Sequence, residues 1–164
     1  MHPVSGVTVD GNALCSAPQL ESLVRRHAGK TLCFKLVRGW AGRGFVAATV
    51  DLEGEGLRLR LKGGAGEEDE ALELAAFWDL LMQGDGKNGR LVEEYFEQHR
   101  DMARFNPSSL NTCRVWAIRH NKQPAKVVLA YLRMGREGSP VDNQSAGGIV
   151  APIDLSSGRL AAAL

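Results

Sequence analysis

No stretch of this chain approaches the eighteen or so consecutive apolar residues of a membrane-spanning helix, so no membrane partner is expected. The N-terminal MHPVSGVTVDGNALCS lacks a basic start followed by an apolar run, so no secretory signal is expected either. Cysteine is scarce. Cys15, Cys33 and Cys113 are odd in number and far apart, match no zinc spacing or disulfide framework, and are expected as reduced thiols in a cytoplasm. The four histidines show no paired-ligand spacing, which argues against an imidazole metal site. An excess of charge of one sign is also missing: a formal +1 gives no ground for a nucleic-acid partner. Asn143-Gln144-Ser145 has the form of a glycosylation sequon, which carries no weight without a secretory signal.

What is present suits a globular protein. With 164 residues, 44% hydrophobic and 24% charged, the chain has length for one domain or two small lobes with a real core. Ser16, Pro18, Leu20, Leu23, Val24 and His27 predict a short capped helix. TLCFKLV alternates as a strand, and FVAATVDL and LRLRL follow across glycine-rich turns, so residues 31 to 61 predict an antiparallel meander. Glu67 to Met82 places Leu74, Phe77, Trp78 and Leu81 on one face of a helix. RLVEEYF predicts a strand and EQHRDMARFNPSS a short helix with a Pro-containing loop. NTCRVWAIRH and KVVLAYLRM form a hairpin across NKQPA, and GIVAPIDL a last strand. There is no regular β-α-β alternation, so the class is α+β, with antiparallel sheets and packed helices.

Several side chains invite chemistry. Lys35 sits inside a strand, sharing a face with Cys33 and Val37, just before Gly39, Gly42, Arg43 and Gly44. A lysine there can reach phosphates that the N–H groups of a glycine turn also cradle. The same lysine equally suits an edge strand guarding against aggregation. AGKT, Ala28 to Thr31, resembles the end of a phosphate loop. Val24 stands where the first glycine is needed, however, and a strand follows rather than precedes, so it is set aside. Glu93 and Glu94 fall on opposite strand faces. Arg114 shares a face with Thr112, Trp116 and Ile118, and Arg133 with Val127, Leu129 and Tyr131. An arginine on an apolar face needs an anionic partner: a glutamate of the same sheet, or a phosphate or carboxylate ligand held bidentately. The long stretch Met134 to Val150 then adds Arg136, Asp142, Asn143, Ser145, Gly147 and Gly148, more polar chemistry than a plain connection needs.

In this order the pieces resemble the ATP-grasp fold. CFKLVRGWAGRGF is similar to the strand-lysine and glycine-loop element of its middle lobe, and RLVEEYFEQH to its nucleotide hinge. SLNTCRVWAIRH and LAYLRMGREGSPVDNQSAGGIVAPIDLSSGRL, with the spacing between them, resemble the sugar-transfer-associated ATP-grasp family, over roughly residues 15 to 160. The resemblance implies a middle lobe over 15–90 and a partial C-terminal lobe over 91–164. It also implies ATP, Mg2+ and a small carboxylate substrate activated as an acyl phosphate. By that resemblance Lys35 contacts the inner phosphates, Gly39, Gly42 and Gly44 let the loop close, and Glu93 or Glu94 meets adenine or ribose. Arg114, Arg133 and Asn143 would serve the chemistry. Arg136, Asp142, Ser145, Gly147 and Gly148 would line the acceptor side.

The pattern departs from the family where magnesium is held. There is no Glu after Glu137, no Asn after Asn143 and no Asp after Asp154, so the Glu-x-Asn metal strand is absent from these residues. An N-terminal lobe is also unaccounted for. The expectation is an incomplete ATP-grasp core without metal ligands of its own, prone to self-association or completed by a partner. Its function would be that of a carboxylate ligase core in cell-surface sugar biosynthesis. The alternatives are a degenerate nucleotide- or anion-binding module without chemistry, and a structural domain whose arginines pair internally.

Overall fold

The computed structural model describes residues 6–7, 13–14, 16–62 and 70–162, with 6–7, 13–14, 87 and 88 as backbone only; Cys15 lies outside them. The chain divides into two compact units, Met1–Phe96 and Glu97–Leu164.

In the first unit, β1 (Gly6–Val7) and β2 (Ala13–Leu14) form a two-stranded ladder ahead of α1 (Ala17–Arg25). Pro18 suits the first turn of α1, where its missing N–H costs nothing, and Leu20, Leu23 and Val24 recur at helical spacing and are buried. Beyond α1, β3 (Thr31–Leu36), β4 (Val46–Glu53) and β5 (Gly56–Leu61) make the expected meander. The β4–β5 turn passes through Gly54 at φ +61°, a left-handed conformation that glycine adopts without strain. Every second residue of these strands faces the core. Leu32 and Phe34, Ala48 and Val50, and Leu57 and Leu59 form one apolar layer, covered by α1 and by Phe77 and Leu81 of α2 (Leu74–Met82). Phe34 and Phe77 meet edge to face with ring centres 5.1 Å apart, and each fully buried ring contributes about 1.5–3 kcal/mol.

Of the helix expected over Glu67 to Met82, residues 67–69 lie outside the described residues, and α2 begins at Leu74. Ala71–Glu73 is instead a short strand, β6, paired with Arg58–Arg60 of β5. The open edge of β5 offers backbone partners that outweigh the local helical pattern. A 3₁₀ turn (Gly84–Asn88) leads to β7 (Arg90–Glu94), which pairs with β3 and closes the sheet order β6-β5-β4-β3-β7, antiparallel throughout. Lys35 lies opposite Leu91, so it stands on an inner strand, and a guard on an open edge is not its role.

The second unit holds α3 (Arg100–Ala103), then β8 (Thr112–Ile118), β9 (Lys126–Met134) and β10 (Ile149–Pro152) in the order β10-β9-β8. Its buried apolar side chains are few: Ala130, Leu132 and Ala151. A polar knot does much of the holding. The buried Asn106 amide donates to the Gly135 carbonyl at 2.6 Å and to the Arg136 carbonyl at 3.0 Å, while its Oδ1 accepts from the Ser108 N–H at 2.9 Å. Ser109 Oγ accepts from the Gly135 N–H at 3.1 Å, and the Asn111 amide donates to the carbonyls of Met102 and Asn106. Position 135 must be glycine, because a Cβ there would lie 2.6 Å from both Ser109 Oγ and the Val141 carbonyl. No helix among the described residues is long and apolar enough to cross a membrane.

Candidate functional site

The candidate residues fall into two groups, one in each unit. In the first, the glycine-rich loop between β3 and β4 folds back over Leu36. A Cβ on Gly39 would come within 2.9 Å of Leu36 Cβ, and one on Gly44 within 2.8 Å of Leu36 Cδ1. Ala41, Gly42 and Gly44 are all left-handed, with φ of +55°, +74° and +66°. For Ala41 that conformation is strained, a state that persists only where surrounding structure enforces it. The loop overhangs a cavity of about 300 Å³ lined by Lys35, Gly39, Trp40, Gly42, Arg43 and Leu91, among others. This lies at the small end of the range for ligand sites. The Arg43 guanidinium stacks 4.4 Å above the Trp40 ring.

Lys35, in the lining of this cavity, pairs with Glu93, which is not part of that lining. The ammonium donates to Glu93 Oε2, and the two side chains are 46% and 50% exposed, so a ligand anion could displace the carboxylate. Glu94 points elsewhere, accepting from Lys30 Nζ at 2.6 Å with His27 Nε2 3.9 Å away. The Lys30 hydrogen bond first, and its charge second, hold the Glu94 carboxyl below the usual range. Burial pushes the Cys33 thiol up, against the pull of Lys35. Arg90 carried no sequence signal, yet it is 7% exposed and anchors the loop. Its Nε–H donates to the Leu81 carbonyl at 2.7 Å and its Nη1 to the Gly44 carbonyl, tying the end of α2 to the last glycine of the loop. Burial lowers its pKa.

In the second unit, the stretch from Met134 to Val150 closes on itself. The Asn143 carbonyl accepts from Ala146 N–H at 2.9 Å and Gly148 N–H at 3.0 Å. Gly147 is left-handed at φ +85°, and a Cβ on Gly148 would meet the carbonyls of Met134, Asp142 and Asn143 at 2.8 Å. Arg133 pairs with this loop. Its Nη2 lies 3.0 Å from Asp142 Oδ1 and donates to Asn143 Oδ1, and Asp142 Oδ2 accepts from Thr112 Oγ1. The Arg133 and Asp142 side chains are 15% and 13% exposed, so the anion that Arg133 requires comes from the chain's own loop. Arg136 and Ser145 lie exposed on the loop's surface. Arg114 is exposed and makes no ion pair or hydrogen bond among the described residues. Its solvent exposure removes the need for a buried partner.

No cluster of three or more His, Cys, Asp or Glu side chains suited to a metal occurs among the described residues. The most enclosed carboxylate of the second group, Asp142, is already taken up by Arg133 and Thr112. These side chains do not fit a magnesium centre. Lys35, the glycine loop and the cavity do fit an anionic ligand: the lysine supplies charge, and the glycines allow close backbone approach.

Comparison with protein families finds that residues 2–164 match the family described as sugar-transfer associated ATP-grasp. No curated protein and no solved structure matches the chain.

Proposed function

Since the chain belongs to the sugar-transfer associated ATP-grasp family, a family of ATP-binding, ligase-like proteins, we propose that it is the ATP-binding core of a carboxylate ligase. The observation that carries this reading is Lys35, half exposed and paired with Glu93, in the lining of the cavity beneath the glycine loop. ATP, when bound, supplies the phosphoryl group that turns a substrate carboxylate into an acyl phosphate open to an amine or hydroxyl acceptor. Lys35 leaves Glu93 to hold the inner phosphates, and Gly39, Gly42 and Gly44 bring loop N–H groups onto them. Glu93, released from Lys35, accepts from ribose or adenine, while Glu94 contributes from the opposite strand face beside Lys30. Arg114 balances negative charge on the acyl side, while Arg133, paired with Asp142 and fixed by Asn143, holds the adjoining loop in place. Arg136, Asp142, Ser145, Gly147 and Gly148 shape the acceptor wall. The setting we assign is cytoplasmic cell-surface sugar biosynthesis, with self-association or a partner completing the site.

The second reading, a nucleotide- or anion-binding module without chemistry, draws on one observation: Arg133 is already neutralised by Asp142. Calorimetric titration with ATP tests the nucleotide claim. Wild-type protein is expected to bind, and Lys35→Ala to bind about tenfold more weakly, the loss of one charge-assisted contact. A wild-type protein that gives no heat with ATP overturns both readings. Binding without phosphoryl transfer to any carboxylate favours the second.

A further inference from the structure

Beyond the loop that holds Arg133, the β8–β9 ladder carries a second surface. Thr112 faces Arg133, Arg114 faces Tyr131, and Trp116 faces Leu129, so these six side chains share one face. The register shifts after Trp116, which ends that face at the Trp116–Leu129 pair. Trp116 is 55% exposed and Leu129 44%, an uncovered apolar platform. One strand step pair away, about 7 Å along β8, stands the unpaired Arg114. Every charged residue from Met102 to Arg136 is basic, and Asp142, the carboxylate that meets Thr112 at the other end of this face, is already paired with Arg133.

A flat apolar ring beside a free guanidinium selects its ligand by charge and shape. Arg114 offers one planar fork, the match for one carboxylate held bidentately. Trp116 offers the negative face of an indole, which attracts the C–H face of a pyranose. A triphosphate would call for several cations gathered on this face, whereas Arg133, at its other end, is spent on Asp142 and Asn143, and Lys126 stands opposite Ile118, beyond the register shift. A neutral sugar would leave Arg114 unused. We infer that this face binds an acidic sugar, a hexuronate whose ring stacks on Trp116 and whose carboxylate meets Arg114. The inference rests on the ligase reading, for which it names the class of carboxylate substrate.

The test titrates wild type, Arg114→Gln and Trp116→Ala with methyl glucuronide and methyl glucoside, following ligand-observed NMR. Both substituted residues are exposed, and a thermal melt checks that each variant folds. Wild type is expected to prefer the glucuronide by about tenfold. Arg114→Gln should bind the two sugars alike, and Trp116→Ala should lose both. A wild type that ignores the glucuronide, or an Arg114→Gln that keeps the preference, overturns the inference. Displacement of the glucuronide by ATP would also overturn it, assigning the face to the nucleotide. ATP titrated separately tells the two readings apart. ATP binding without glucuronide binding sinks this site alone, and glucuronide binding without ATP binding sinks the ligase reading while the acidic-sugar site stands.

Discussion

Replacing Asn106 with alanine removes a side chain that is 5% exposed and holds two segments of the second unit together. Three good hydrogen bonds go with it: those to the Gly135 and Arg136 carbonyls, and the one accepted from the Ser108 N–H. Each such bond contributes about 0.5–1.5 kcal/mol net, and a buried partner left unsatisfied costs about 1–3 kcal/mol. Gly135 is buried and folded against Ser109 and Val141, so water reaches its carbonyl only if the loop opens. A loss of about 3 kcal/mol follows, and a chain of this size should melt roughly 10 °C lower. Circular dichroism on heating gives the midpoint. Hydrogen exchange locates the effect, with faster exchange expected from Gly135 to Gly148. Asn106→Asp sharpens the test: it keeps an acceptor for Ser108 but sets a carboxylate against two carbonyls, and should be no more stable than the alanine variant at neutral pH. A fall of under about 2 °C with unchanged loop exchange would refute the reasoning.

Asp142→Ala strands a mostly buried guanidinium with only Asn143 beside it, and should cost about 2–4 kcal/mol in urea unfolding; a change below about 0.5 kcal/mol would show that the pair is solvated. Asp154 is held down to about 2 by hydrogen bonds from Ser156 and Ser157, below its ordinary 3.8. A depressed carboxyl contributes stability above the unfolded value that is lost as pH falls through the folded one. The turn at Asp154 should therefore stay ordered at pH 3 and loosen near pH 2. Carbon-detected NMR titration reads the midpoint directly, and a value near 3.8 would dismiss the serine contacts; Ser156→Ala should move it upward.

The strands were legible because their chemistry is local. TLCFKLV, FVAATVDL and LRLRL alternate with the period of the pleat, and the layer of Leu32, Phe34, Ala48, Val50, Leu57 and Leu59 follows that alternation. The family resemblance carried by SLNTCRVWAIRH and the stretch from Leu129 to Leu160 is borne out by the match over residues 2–164. What stayed hidden depends on partners distant in sequence. Ala71–Glu73 takes strand form because β5 has an open edge, a fact that no window around residue 71 contains. Arg90 finds the Gly44 carbonyl 46 positions away. The need of Arg133 for an anion was readable, but Asp142 as that anion was not, because a loop's return path is set by knots such as Asn106 and Gly135.

That knot also imposes an order in time. Asn106 leaves the ribosome well before the carbonyls it will bind, which lie 29 and 30 residues further along. At a synthesis rate of about 5–20 residues per second, its amide waits roughly 2–6 s for them. The ladder from β3 to β7 is complete in the nascent chain before α3 has been made. The first unit can therefore close while the second is still being translated, and Asn106, Ser109 and Asn111 must stay hydrated until β9 has passed.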